Sequence, residues 1–447
     1  MPTELQIAVT HLTAKKPRYD MLWQYRDGQQ PLIYSSAKLK EIFHGLDANF
    51  TENWCAVVVD SVLDRLQLRD LSVPDDDAAT AALRSLREQS GLIDDEDAIH
   101  ESLCVVGEAF VLAWADDATG VQAFHNDARL CHAEYDAANP RRLRFAAKWW
   151  DESGVVRLNL YYPDRIEYYA TNREFKDGET PTDRAFEPWG DDPLAENPFG
   201  AIPLFHFRSS QRRAVSQLDN VLPIQDMINK LIADLMVSAE FSAAKIRWVI
   251  SQMGLPPGSL QISPNVIWDL PAADKDSQPT QVGEFSATDL MNYLNPINKL
   301  AADIGIISRT PRHYFYAQGG DPSGEALIAM EAPLNRKVVR LQTAFSPTWR
   351  DLGAFLLLLA GELVPSQRIW VNYEPPQTVQ PMTDAMIIKT LVEAGQPLAT
   401  VLRDRGWTDA DLQEMADDER AAQVNRASYA DAVLTQAQTQ FDRGEAV

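Results

Sequence analysis

The chain has 447 residues, 45% of them hydrophobic and 23% charged, with 64 Asp and Glu against 41 Lys and Arg for a net charge of −23. That hydrophobic share excludes wholesale disorder, and at about 150 residues per domain the length suits about three structural units. The acidity excludes a protein that grips duplex DNA, because such affinity comes from Lys and Arg neutralising phosphates.

The first seventy residues alternate helical patches with turn signals. From Asn53, the residues Cys55, Val58, Val59, Val62 and Leu66 recur at helical spacing. Residues 74–103 read as polar surface helices, with Pro74 and the run Asp75–Asp77 as N-terminal punctuation. Three adjacent carboxylates are also potential metal ligands, but no second acidic cluster accompanies them.

From Glu108 the segments EAFVLAWAD, LRFAAKWWD, VVRLNLYYPD and RIEYYAT predict an antiparallel meander over residues 107–172. Residues 174–200 read as a long polar loop, and Pro203–Phe207 as one more short strand. Helical patterning then takes over. Ile228, Leu231, Leu235, Ile246 and Val249 share one face, with the small residues Ser238, Ala239, Ser242 and Ala243 between them. A core helix, or a helix beside copies of itself, produces this pattern.

Residues 251–285 are Pro-rich, with strand-like pieces such as Asn265–Asp269. A capping box at Ser286–Asp289 opens a second helix carrying Leu290, Leu294, Ile297, Ala301 and Ile304, with Pro296 inside it. The two helices are expected to run antiparallel around the insert. Arg309–Pro322 is a loop by composition. A long helix follows over 323–363, with Asp321 or Ser323 as its cap and Leu327, Met330, Leu334, Val338, Leu341 and Phe345 on one stripe. Pro333 predicts a kink. Ile369–Glu374 alternates like a strand. Residues 381–447 read as short helices, with another capping box at Thr408–Asp411.

Little chemistry survives inspection. Gly319–Ala326 has Walker A glycine spacing, but Glu325 replaces the phosphate-binding lysine and Ala326 the magnesium-binding hydroxyl. His132-Ala-Glu134 matches half of a zinc deaminase motif without its PCxxC partner. The seven histidines are scattered, no two at i, i+3 or i+4, and each reads as a surface or satisfied core residue rather than a ligand. Cys55 lies on an apolar helix face, which raises a thiol pKa. No catalytic residue, metal site or cofactor is expected. The odd cysteines Cys55, Cys104 and Cys131 fit a reducing compartment. No secretory signal opens the chain, and the apolar run within Gly353–Gly361 is too short for a bilayer, which requires about 20 residues. A soluble intracellular protein is expected.

Three stretches carry a resemblance. The first is YRDGQ at Tyr25, with Asn53–Asp60 and Asp64–Leu66. The second is Val156–Asp164 followed by Asn197–Pro203. The third is Thr310–Phe315 with Pro322–Leu327 and Met330–Leu334. Together they resemble the portal proteins of tailed bacteriophages, in particular the SPP1 Gp6-like family, whose hallmark is SGEAL at the head of a long kinked helix. The motif residues are Thr310, Pro311, Ser323, Gly324, Glu325, Ala326 and Leu327.

The resemblance implies a predominantly helical α+β fold with wing, stem, clip and crown regions, assembled into a ring of about twelve subunits. It places the wing at 1–214, stem helices at 215–250 and 286–307, and the clip at 251–285 between them. It places a tunnel loop at 308–322, the kinked helix and wing-closing strand at 323–378, and the crown at 379–447. Arg309, Arg312 and His313, with Tyr314, Tyr316 and Gln318, would face double-stranded DNA in the loop. Alternatively, Arg309 and Arg312 pair with acids between subunits. Glu325 at a helix N-terminus suits the dipole. Implied partners are the terminase large subunit, the head–tail adaptor, and the major capsid and scaffolding proteins, with no membrane. The runner-up readings are another virion ring component, such as an adaptor or connector, and a cytosolic enzyme.

Overall fold

The computed structural model describes residues 2–31, 51–116, 120–176, 179–210, 214–243, 247–250, 281–284, 289–315, 323–376 and 381–405, with 407, 412–413, 415–416 and 420. In chain order, α1 (Glu4–Arg26) and α2 (Trp54–Leu63) precede β1 (Leu68–Ser72), α3 (Asp77–Gln89) and α4 (Leu92–Val105). Nine strands follow: β2 (Glu108–Asp116), β3 (Gly120–Asn126), β4 (Cys131–Tyr135), β5 (Leu143–Glu152), β6 (Val155–Tyr161), β7 (Arg165–Thr171), β8 (Phe186–Pro188), β9 (Leu194–Glu196) and β10 (Leu204–Arg208). Then come α5 (Leu222–Ala243), β11 (Arg247–Ile250), β12 (Gln281–Glu284), α6 (Met291–Ser308), α7 (Gly324–Leu359), β13 (Trp370–Tyr373), α8 (Pro381–Glu393) and α9 (Leu398–Asp404). Helix outweighs strand among the described residues, as expected for a predominantly helical α+β chain. Among the described residues, no helix is long and apolar enough to cross a membrane.

The chain divides into two compact units. One comprises Met1–Lys16, Ser61–Ser216 and Asp321–Val447; the other comprises Pro17–Asp60 and Gln217–Gly320.

In the first unit, β4 to β8 form an antiparallel sheet in sequence order, with β9 also on β7. Alternation sends Phe145, Ala147 and Trp149 of β5, with Leu158 and Leu160 of β6, to one face. Ala8, Val9 and Leu12 of α1 close that core. A second sheet has the order β10-β2-β3, so the expected meander is two sheets. The tight turn at Asp127–Leu130, where Arg129 N–H donates to Asp127 Oδ1 at 2.8 Å, redirects the chain between β3 and β4.

The polar loop expected over 174–200 contains β8 and β9, which are too short to show a period. The strand expected at 203–207 is β10, antiparallel to β2. β13, expected within 369–374, pairs with β1.

The surface helices expected over 74–103 need correction. Asp76 caps α3, accepting from Ala79 N–H at 3.1 Å, as punctuation there predicts. α4, however, buries Leu92, Ile99, Leu103 and Cys104 together with Glu96, His100 and Ser102. Its polar residues disguise a core helix, and two of them, Glu96 and Ser102, find partners inside. Arg87 Nε donates to Glu96 Oε1 at 3.2 Å, and Ser102 Oγ donates to the Glu108 carbonyl at 2.8 Å. Gly107 follows at φ 89°, where a Cβ would lie 2.4 Å from the Val215 nitrogen, so only glycine lets these backbones meet.

α7 supplies Leu334, Val338, Leu341, Phe345 and Trp349 to the same unit's core, all within the expected stripe or one turn beyond it. The helix is unbroken over Gly324–Leu359 and includes Pro347 as well as Pro333.

In the second unit, α5 ends at Ala243, seven residues before the helical pattern expected through Ile250 does. Arg247–Ile250, aromatic and β-branched, pairs instead as β11 with β12. The strand-like piece at 265–269, the capping-box residues Ser286–Thr288 and the capping box at Thr408–Asp411 lie outside the described residues.

Candidate functional site

The hairpin of α5 and α6, with the turn that follows it, carries the residues singled out as a DNA-facing segment. α5 is anchored at its start. The buried Gln225 side chain accepts from Trp54 N–H at 3.1 Å and donates to Asn229 Oδ1 at 2.9 Å and to the Glu52 carbonyl. Tyr25 OH donates to Asp226 Oδ1 at 2.6 Å. Near the other end of α5, Ser238 Oγ donates to Tyr293 OH, in the first turn of α6, at 2.9 Å. The late residues of one helix thus meet the early residues of the other, as an antiparallel pair requires.

α6 starts at Met291, later than a capping box at Ser286–Asp289 would open it. Asp289 Oδ1 accepts from Met291 N–H at 3.0 Å, and Pro296 is accommodated inside the helix. Its inner face is Ile297, Ala301, Ala302, Ile304 and Gly305. Met291, Leu294, Ile306 and Ile307 of α6 are exposed, as Met227 and Met236 are on α5, and Leu294 is thus exposed although its spacing puts it on the stripe of Ile297 and Ala301.

The helix ends on a left-handed residue, Arg309 at φ 61° and ψ 27°, whose N–H returns to carbonyls of the last turn. Thr310 N–H reaches the Gly305 carbonyl at 3.0 Å, and Ser308 Oγ donates to Thr310 Oγ1 at 2.9 Å. Pro311 then opens a 3-10 turn, Arg312–Tyr314. Phe315 folds back, 4% exposed, against Gly305 and against Trp54 with ring centroids 5.1 Å apart. A Cβ at Gly305 would stand 3.1 Å from the Phe315 ring, so that glycine makes room for the anchor.

The motif thereby divides. Thr310, Pro311 and Phe315 are buried and build the turn, whereas Arg309 and Arg312 are exposed, and His313 and Tyr314 are half-buried with their rings edge to face at 4.7 Å. Tyr316 and Gln318, with Gly319–Pro322 and the candidate cap Asp321, lie outside the described residues.

The other motif stretches also prove architectural. Asn53 Nδ2 donates to the Arg26 carbonyl at 2.8 Å, and Arg26 pairs with Asp60 at 2.6 Å. Arg65 pairs with Glu331 at 3.4 Å, joining DRL to MEAPL. Asn197 donates to the carbonyls of Tyr162 at 2.6 Å and Ala201 at 2.8 Å, folding the Pro-rich corner onto the end of β6. Ser323 caps α7 by accepting from Ala326 N–H at 3.3 Å, with Gly324 and Ala326 exposed and Leu327 half-buried. Ser323 is therefore the cap that the sequence offered beside Asp321.

The groups with potential covalent chemistry are inert in place. The three cysteines are buried and unbridged, and burial pushes the Cys55 and Cys131 thiols up to about 12.

The helical hairpin is followed by a Thr-Pro turn and by a long helix headed Ser-Gly-Glu-Ala-Leu, the most specific of the motifs that carry the resemblance. The profile of the family described as "Phage portal protein, SPP1 Gp6-like" matches residues 6–425, and the chain belongs to that family. Two relatives are the portal proteins of Mycobacterium phage D29, 28% identical over 151 residues, and of Mycobacterium phage L5, 26% identical over 151 residues. Each match covers 32% of this chain and 31% of the relative's length.

Proposed function

We propose that the chain is the subunit of a portal ring of about twelve copies at one vertex of a phage capsid, the conduit through which double-stranded DNA is packaged and ejected. The observation that carries this reading is family membership across residues 6–425. The exposed apolar residues of α5 and α6 support it, because a single chain leaves them uncovered and neighbouring hairpins in a ring would cover them.

In this reading the wing is 1–214, completed by 323–378 with its bend at Pro333. The stem helices fall within 215–250 and 286–307, the clip is 251–285, and the crown is 379–447. The tunnel loop, 308–322, presents Arg309, Arg312, His313, Tyr314, Tyr316 and Gln318 to DNA. A net charge of −23 per chain suits a channel in which DNA must slide, since dense phosphate contacts would act as brakes. The ring docks the terminase large subunit and later the head–tail adaptor, within a shell of major capsid and scaffolding proteins. It is not an enzyme. Glu325 and Ala326, where a nucleotide-binding loop needs Lys and Ser or Thr, leave translocation energy to the terminase.

Negative-stain imaging of the purified chain tests the ring: about twelve subunits around an open hole are expected, and a compact monomer or dimer overturns the reading. Deleting Arg312–Gln318 should leave the ring intact and impair DNA packaging. Loss of the ring itself would refute the placement of that loop.

A further inference from the structure

The amino-terminal part of α1 and the edge strand β4 bring together three side chains with metal-ligating atoms. His132 and Glu134 are two residues apart on a strand and so share a face, with His132 Nε2 3.0 Å from Glu134 Oε2. His11 stacks on His132, the ring centroids 4.6 Å apart and the planes within 8°. One donor atom from each of the three lies within 4.8 Å of the other two, the one such grouping among the described residues.

We propose that His11, His132 and Glu134 form a binding site for a divalent transition-metal ion of the zinc class. Two imidazoles and one carboxylate are the borderline donor set that zinc, cobalt and nickel take, whereas magnesium and calcium require mostly oxygen. With metal–donor distances of about 2.0–2.2 Å, tetrahedral donors stand about 3.4 Å apart. The His132–Glu134 pair already has nearly that spacing, and rotation of His11, the exposed member, closes the remainder.

The ion replaces the proton now held between His132 and Glu134, which the ring can carry on its other nitrogen. The nearby cations are engaged by acids of their own: Lys15 by Glu108 at 2.7 Å, and Arg144 by Glu4 at 2.5 Å. The three ligands leave a fourth position to water. Bound metal staples the start of α1 to the free edge of the six-stranded sheet. The site is independent of the ring proposal.

The test is zinc titration of the chelator-treated full chain by calorimetry and thermal denaturation, with His11→Ala and Glu134→Gln in parallel. Wild type is expected to bind one zinc and to melt at higher temperature with it. His11→Ala, at an exposed position, should melt like wild type without metal. Each variant should lose about tenfold or more in zinc affinity, at least the loss typical of outer-shell changes. Cobalt should show the intense visible bands of a tetrahedral site. No zinc binding, equal binding and melting shift in His11→Ala and wild type, or an equal shift with magnesium would each overturn the proposal.

Discussion

In the unit built on the two larger sheets, Phe110, Phe145, Phe207, Phe345 and Trp349 are wholly inside, and even the charged Glu108 is buried with partners. Burial opposes ionisation of Glu108, but Lys15 at 2.7 Å and His206 Nε2 at 2.9 Å outweigh it and hold the carboxyl below its ordinary range. His206 Nε2 faces an acceptor and so carries the ring proton, which leaves Nδ1 to accept from Tyr135 OH at 3.1 Å. In the unit with α5 and α6, by contrast, Met227, Met236, Met291, Leu294, Ile306 and Ile307 are exposed among the described residues of the hairpin, Ile306 at 67%. The first unit also exposes apolar groups, such as Leu363 and Trp370, but outside its sheet core. One unit closes a core of large aromatic side chains within the chain. The other leaves apolar side chains of its helical hairpin exposed.

This contrast can be broken by substitution. Trp349→Ala, in the core of the first unit, should cost about 3–5 kcal/mol in urea unfolding. A loss below about 1 kcal/mol would mean that the core is looser than its burial indicates.

A pH titration sharpens the same point. His100 is 1% exposed among Phe345, Trp349 and Tyr373, and burial holds it down to about 4 from 6.5. Above pH 6.5 the group is neutral in folded and unfolded chains alike. As pH falls from 6.5 towards 4 the unfolded chain takes up the proton first, so the folded state should lose about 3 kcal/mol through this group. The stability difference between wild type and His100→Phe should therefore be pH-independent above 6.5 and change below it.

In the second unit, Gln225→Ala leaves Asn229 Oδ1 and the Glu52 carbonyl short of a donor and should cost about 1–3 kcal/mol, seen as a lower urea midpoint. Ile306→Gln should change unfolding by less than about 0.5 kcal/mol while reducing the fraction of assembled rings in sedimentation. Unchanged assembly would mean that this side chain is not covered by another copy.

Local signals were legible wherever a residue acts on its own turn of chain. Asn53 accepts from Ala56 N–H at 3.1 Å at the head of α2, Asp76 caps α3 and Ser323 caps α7. The expected stripe faces inward at Leu334, Val338, Leu341 and Phe345, whereas its first members, Leu327 and Met330, are half-buried and exposed respectively. Reading failed where a distant partner decides. α4 looked like a surface helix because Glu96 is polar, and only Arg87 makes its burial tolerable. The turn after α6 was legible as a loop, but the return of Phe315 to Gly305 and Trp54 was not. A glycine near the end of the helix was the available signal.

The histidines show the same limit. No spacing in the chain links His11 to His132, which are 121 positions apart, yet α1 on the sheet sets their rings in parallel. Hydrophobic period, caps and motif residues by themselves determined the positions of the long helices, the strands β2, β5, β6, β7, β10 and β13, and the family resemblance, because each depends on interactions within a few residues. Which strands share a sheet, where α5 gives way to a strand, and which polar groups meet inside were decided only by the tertiary structure. Those outcomes follow from burial and pairing between segments far apart in the chain, for which local sequence carries no distance.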